Sequence, residues 1–207
     1  MQLTPDNSRG YSNLGVIAYT QKHYDDAAKM FEKAAAIKPT DSVYSNLGTL
    51  YYTLAKYSEA ARYYDLAIQM NAGESLWWHN LAAAYQASGQ SEKARNAFER
   101  TAELAEKQRR VNPRDSVLLI RLANAYSNLN RPVRARELLN QALALAPENV
   151  ENMFDASAIY ERLGNRQVAL QWIAKAIKAG FPRDLIEREP TFAQLRLDPR
   201  YKELLRP

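Results

Sequence analysis

The sequence predicts an all-α fold, a solenoid of stacked helix pairs, and two observations carry that reading. Apolar and small residues recur at three- and four-residue steps, in Tyr11, Leu14, Gly15 and Ala18 and again in Ala27, Ala28, Phe31, Ala34 and Ala35, which is the stripe of an amphipathic helix. The pattern then returns four more times, and no run along the chain reads as a strand.

The first pass is Tyr11, Leu14, Gly15, Ala27, Phe31, Ala34 and Pro39, and the second is Tyr44, Leu47, Gly48, Tyr51, Ala60, Tyr64 and Ala67. The third is Trp78, Leu81, Ala82, Tyr85, Ala94 and Phe98; the fourth is Leu119, Leu122, Ala123, Tyr126, Ala135, Leu139, Ala142 and Pro147. The fifth is Met153, Ala156, Ser157, Tyr160, Ala169, Ile173 and Ala176. Each pass holds two helices. Polar links such as Gln21-Lys22-His23 and Ser88-Gly89-Gln90 are too short to set the second helix anywhere but antiparallel to the first. Gly15, Gly48, Ala82 and Ala123 leave room for a neighbouring helix, and Phe31, Tyr64, Phe98 and Leu139 fill what remains. A pair of such helices cannot cover its own apolar face, so successive pairs must stack.

From Leu14 through Leu47, Leu81 and Leu122 to Ala156 the steps are 33, 34, 41 and 34 residues, and the alanine slots Ala27, Ala60, Ala94, Ala135 and Ala169 step identically. Pro113 to Pro147 is again 34, which places the seven extra residues between Ala94 and Pro113. Seven residues are close to two helical turns. With no Gly or Pro from Ser91 to Val111, the stretch reads as one long helix, either an elongation or an arm that meets a partner. Lys107, Arg109 and Arg110 suit the negative end of its dipole.

The expected organisation is five units, 8–40, 41–74, 75–115 with the insertion, 116–149 and 150–183, followed by a capping segment at 184–207. The period is expected to stop after Ala179-Gly180-Phe181-Pro182, and Asp198-Pro199 reads as a helix cap followed by a first-turn proline. Leu3-Thr4-Pro5 aligns with Ile37-Lys38-Pro39, so residues 1–7 read as the remnant of a preceding repeat. A first helix without its upstream neighbour exposes apolar surface, and self-association through that end is expected.

These residues resemble the tetratricopeptide repeat, a helix-turn-helix unit of ~34 residues, over roughly residues 8 to 183. The resemblance implies a right-handed superhelix whose first helices line a concave groove, and a non-catalytic scaffold that binds a protein or peptide there. The tail from Pro190 through Phe192, Leu195, Arg196, Asp198, Pro199 and Arg200 to Tyr201 is similar to the end of bacterial tetratricopeptide proteins joined to Ser/Thr kinases or transcriptional regulators. That likeness implies an alternative, the sensory or regulatory domain of such a protein.

Composition narrows the chemistry. The +5 net charge sits in the second half: residues 1–106 hold 10 basic and 12 acidic side chains, residues 107–207 hold 18 and 11. A nucleic-acid-binding helical repeat is therefore a further alternative, although Arg109, Arg114, Arg131, Arg134, Arg162 and Arg166 are scattered among acids and form no base-reading motif. No cysteine is present, the two histidines, His23 and His79, are far apart, and no nucleophile elbow, phosphate loop or metalloprotease motif occurs. No enzyme, cofactor or metal is expected. No run approaches the ~20 apolar residues of a membrane span. The expected location is the cytoplasm, or the periplasm if the chain is part of a membrane-tethered longer protein.

The slot before each Leu-Gly pair holds Asn13, Asn46, Asn80, Arg121 and Asp155. A primary amide both donates and accepts, so a row of Asn can pair with the backbone of an extended peptide whatever its side chains. The row resembles the asparagine ladder of O-linked N-acetylglucosamine transferase; alternatively each Asn bonds a neighbouring helix. Tyr19 and Tyr52 would add flat contact with a polar tip, or be half-buried stacking residues. Asn124 and His79 complete the expected groove residues. A chaperone-tail clamp is not expected, because only Asn80 and Arg121 fit its pattern while Ser45, Thr49 and Val117 hold its other places. Arg121 can still pair with one carboxylate.

Overall fold

Polar side chains placed just before each helix pair start the helices. Asn7, Thr40, Glu74, Asp115 and Asn149 each accept a hydrogen bond from a backbone N–H in the first turn that follows, satisfying a donor that the helix leaves open. The computed structural model describes residues 7–206, and among them twelve α-helices and no strand form. They are α1 (Ser8–Thr20), α2 (Tyr24–Ile37), α3 (Asp41–Thr53), α4 (Tyr57–Met70), α5 (Ser75–Ala87), α6 (Ser91–Val111), α7 (Ser116–Asn128), α8 (Pro132–Leu145), α9 (Val150–Arg162), α10 (Arg166–Lys178), α11 (Arg183–Arg188) and α12 (Pro199–Leu204). The all-α class read from the sequence is the class observed. The expected remnant of an earlier repeat, residues 1–7, lies outside the described residues except for Asn7.

The joint inside each pair bends at one residue in the left-handed region: Lys22 (φ 63°), Ala55 (58°), Gly89 (76°), Asn130 (56°) and Gly164 (76°). Glycine takes that conformation freely, asparagine tolerates it, and lysine and alanine carry steric strain there. The backbone of the joint then closes identically in successive pairs, as in His23 N to Ala18 O and Lys56 N to Tyr51 O, both 2.9 Å.

Two compact units divide the chain, Met1–Ala97 and Phe98–Pro207. In the first, α1 packs on α2 and α3 on α4, while α2 and α4 lie against α3 and α5. The contact that sets the distance is a glycine against a ring. A methyl group built on Gly15 would sit 2.5 Å from the Phe31 ring, and one on Gly48 would sit 2.5 Å from Tyr64. Phe31, Leu47 and Leu50 are fully buried together with Ala27, and Tyr64 packs with Ala60, Ile68, Leu81 and Ala84. Each large apolar side chain so removed from water contributes about 1.5–3 kcal/mol. Half-buried tyrosines seal the edges, with the Tyr51 and Tyr63 rings stacked at 5.3 Å and 10°.

In the second unit α7 packs on α8 and α9 on α10, with α7 beside α9. The long helix is 21 residues where α4 and α8 have 14. Its added turns are packed: Thr101, Ala102, Leu104 and Ala105 are buried, and Glu106 accepts from Tyr126 Oη at 3.1 Å and Arg134 at 3.3 Å. That contact fits the elongation rather than the arm of the two sequence readings, because Glu106 on the extra turns bonds to α7 and α8.

The spacing of the repeat leaves a trace in the expected capping segment. Ile186, Glu189 and Pro190 stand 34 residues after Asn152, Asp155 and Ala156, so the short α11 lies where a further first helix would start. Pro190 occupies the leucine slot. A proline there removes an N–H and forces its predecessor out of the helical region, and Glu189 is extended at φ −62°, ψ 117°. The chain folds back instead through turns at Pro190–Phe192 and Leu195–Leu197, and Ile186, Phe192, Leu195 and Tyr201 bury themselves against Ala158, Leu170 and Ile173.

Two outcomes follow for stability. Ala55→Gly relieves the left-handed strain and should raise stability by roughly 0.5–1 kcal/mol, whereas Gly164→Ala, with open space around the new methyl, should lower it by about 1 kcal/mol. Thermal melts of the two variants should move in opposite directions; a shift of the same sign would reject the joint geometry. Asn152 is 2% exposed and its Nδ2 has no hydrogen-bond partner, in a slot that Val43, Leu118 and Ile186 fill with buried apolar groups. Asn152→Leu should therefore stabilise the protein by ~1–3 kcal/mol, and a lower denaturation midpoint would contradict the assignment.

Candidate interaction face

Side chains that leave the packed stripe of α1, α3 and α5 form a polar row in the first unit. Asn13 is exposed, and Asn46 and Asn80 are half-buried. The three amides are not equivalent. Asn46 donates from Nδ2 to Ser12 Oγ at 3.4 Å, so it is partly used between helices, as one of the two sequence readings expected. Asn13 and Asn80 make no side-chain hydrogen bond among the described residues, which leaves their donors and acceptors to solvent or a partner.

Hydroxyls fix the ground around them. Tyr19 Oη and Thr53 Oγ1 are 2.8 Å apart, Thr49 Oγ1 and Tyr64 Oη are 3.1 Å apart, and Thr53 donates to the Thr49 carbonyl at 3.0 Å. Burial pushes the Tyr19 phenol up despite its bond to Thr53, and does the same to Tyr64 more strongly, so both stay neutral donors or acceptors at physiological pH. Tyr52 stands edge-on to Tyr57 with centroids 5.2 Å apart, and His79 is half-buried on α5. Along α1, α3 and α5 the charged side chains among the described residues are Arg9 and Asp41, and Asp41 accepts from Asn71 Nδ2 at 3.1 Å and from Trp77 Nε1 at 3.3 Å; the remainder are Gly, Ser, Thr, Asn, Tyr, His, Gln and apolar groups.

The second unit carries a different surface. Asn124 is committed locally, accepting from Asn128 Nδ2 at its Oδ1 (2.9 Å) and at its carbonyl (3.0 Å). Arg121 is half-buried, and the next slots hold Asp155 and Glu189, one on α9 and one just past α11. Arg162 donates to Ser127 Oγ at 3.2 Å and to Thr191 Oγ1 at 2.9 Å. Glu189 and Thr191 were not read as part of the row; carrying the 34-residue step past Gly180 would have found Glu189.

Three further facts limit the chemistry of the described residues. No group of three or more His, Cys, Asp or Glu is placed to hold a metal ion, and no helix is long and apolar enough to cross a membrane. Exposed apolar groups gather on α1, where Leu14 is 37%, Val16 43% and Ile17 51% exposed.

Comparison with known proteins identifies the same repeat and fold. Sequence profiles of the tetratricopeptide repeat match residues 8–41, 42–72, 74–148 and 120–183. The crystal structure of a thermophilic tetratricopeptide protein of Thermus thermophilus is similar at 25% identity and a TM-score of 0.66, with 96% of this chain and 98% of that chain covered. PilF of Pseudomonas aeruginosa is similar in fold at 17% identity and a TM-score of 0.58, covering 95% of each chain. A Podospora anserina protein of nearly identical tetratricopeptide-like repeats has 20% identity and a TM-score of 0.56, over 86% of this chain and 97% of that one. No curated protein matches the chain.

The face separates structural from unengaged polar groups. Tyr19→Phe should cost ~0.5–1.5 kcal/mol through loss of the Thr53 bond, while Asn13→Ala and Asn80→Ala should each leave stability within about 0.5 kcal/mol. Denaturant melts that rank the asparagines above Tyr19 would contradict this division.

Proposed function

Since the chain belongs to the tetratricopeptide-repeat family, whose profiles together match residues 8–72 and 74–183, we propose that it is a non-catalytic binding module and that the α1, α3 and α5 face takes an extended, uncharged polypeptide segment. The observation that carries this reading is the pair of unengaged amides, Asn13 and Asn80, on helices whose charged side chains are Arg9 and an Asp41 already engaged by Asn71 and Trp77. Asn46, between them in the row, has a long bond to Ser12 that a ligand can replace at little cost. Tyr19, Tyr52 and His79 supply flat contact area, and on the second unit the row continues with Arg121 beside an Asn124 already engaged by Asn128. Proteins of this family are typically scaffolds for protein–protein interaction, and the repeat bounds 8–40, 41–74 and 75–115 give the three first helices of the face.

Support over a nucleic-acid reading comes from the basic half itself. Arg109 is paired with Glu106, Arg134 with Glu106 and Glu137, Arg166 with Glu161 and Arg200 with Asp198, so these four arginines spend their charge on neighbouring acids rather than on a phosphate backbone.

The test starts with peptides selected from a random displayed library against the whole chain. Exchanging Asn13, Asn46 and Asn80 together for Ala should weaken their binding at least ~10-fold, since each lost bond to a desolvated group costs about 1–3 kcal/mol, with folding retained. Affinity should change less than about twofold between low and high salt, unlike the steep dependence of phosphate binding. Selected peptides that bind the triple variant equally well, or whose affinity collapses with salt, would overturn the proposal.

A further inference from the structure

Leu14 and Ile17 on α1 are 37% and 51% exposed. The same two slots in the four later pairs hold Leu47 and Leu50, Leu81 and Ala84, Leu122 and Ala125, and Ala156 and Ile159, none of them more than 3% exposed. What covers these slots is visible within the first unit. Leu47 and Leu50 lie in one cluster with Ala27 and Phe31 of α2, and Leu81 and Ala84 in another with Ala60, Ala61, Tyr64 and Ile68 of α4. The Leu14 and Ile17 side of α1 is therefore a core surface without its cover, and apolar area left in water drives association.

Two features single out a second copy of the chain as the cover. In head-to-tail stacking the helix that would cover α1 is α10 of another copy, but α10 already carries the fold-back, with Ile186, Phe192, Leu195 and Tyr201 buried against its Leu170 and Ile173. That leaves a two-fold contact of α1 on α1, in which one surface meets itself and the assembly closes at two chains. Charge suits the antiparallel arrangement of such a pair. Arg9, at the start of α1, is its one charged residue, so the stretch that holds Leu14 and Ile17 is neutral and nothing charged has to be desolvated there. Running antiparallel, each Arg9 comes to the end of the other α1, where the helix dipole is negative and Asp25 and Asp26 open α2 beside a single Lys22.

We propose that α1 is a dimerisation surface on which two copies of the chain pack antiparallel about a two-fold axis, Leu14 of one meeting Ile17 of the other. The contact takes one helix from each chain, well short of the area of an obligate dimer, so association is reversible, with a dissociation constant between roughly 10 µM and 1 mM.

Sedimentation equilibrium of the full chain across about 10 µM to 1 mM measures this directly. The average mass should rise from that of one chain towards that of two and go no higher. Ile17→Lys, which places a cation where the end of α1 favours one, should weaken the dimer at least ~10-fold with the helical signal intact, and Leu14→Gln should do the same independently. Val133→Lys, at a site on α8 that is 68% exposed, should leave association unchanged. Exchange of the α1 amides should slow as concentration rises in the parent and not in Ile17→Lys. A parent that is monomeric at ~1 mM, masses beyond two chains, a dimer equally tight in both α1 variants, or an equal loss in Val133→Lys would each overturn the proposal. So would α1 protection independent of concentration, the result that cover by residues 1–6 of the same chain would give.

Discussion

There is no room for a methyl group between Gly15 and Phe31 or between Gly48 and Tyr64, and the geometry of the first two helix pairs follows from that contact. The glycine lets the second helix approach, the ring fills the volume, and the buried alanines Ala27, Ala34, Ala60 and Ala67 keep the seam thin along its length. The pairs in which Ala123 and Ser157 replace glycine carry Leu139 and Ile173 in place of the ring, which keeps the summed volume similar. Once the seam is fixed, the left-handed residue at the joint and the side-chain cap before each pair set where helices begin and end. Everything on the other side of α1, α3 and α5 is then released from packing and open to other uses.

That release explains why the two units present different surfaces on one architecture. In the first, short neutral groups fill the row and the hydroxyls of Tyr19, Thr49, Thr53 and Tyr64 bond to one another, so the face is ordered before any ligand arrives. In the second, the same slots hold Arg121, Asp155 and Glu189, and the last of these lies beyond a helix that Pro190 has cut short. A truncated pair closes the core with Ile186, Phe192, Leu195 and Tyr201.

The helix pairs were legible in the sequence because their spacing is dictated by packing, which constrains residue type along the buried slots: small at Gly48, bulky at Tyr64, apolar at Leu47. The seven-residue surplus was legible as length, but its docking on α7 and α8 was not, since the Glu106 bonds to Tyr126 and Arg134 join residues 20 and 28 positions apart with no periodic signature. A capping segment was expected at 184–207; its path back over the last pair was not legible, because a proline in the leucine slot cuts short a register that Ile186 and Glu189 still keep. Of the interaction face, the row of asparagines could be seen and its inequivalence could not. Which amide is engaged depends on a neighbour such as Ser12, one repeat away.

The claim at the centre is that unengaged amides on a neutral face are what a bound segment meets. Side-chain amide resonances of asparagine report this directly. In an NMR titration of the labelled protein with a selected uncharged peptide, the Asn13 and Asn80 side-chain signals should shift most and that of Asn46 should follow as its bond to Ser12 is exchanged, while Asn128, bonded to Asn124, should stay in place. Unmoved Asn13 and Asn80 signals, with the perturbations falling on the outward faces of α2 and α4, would contradict the account.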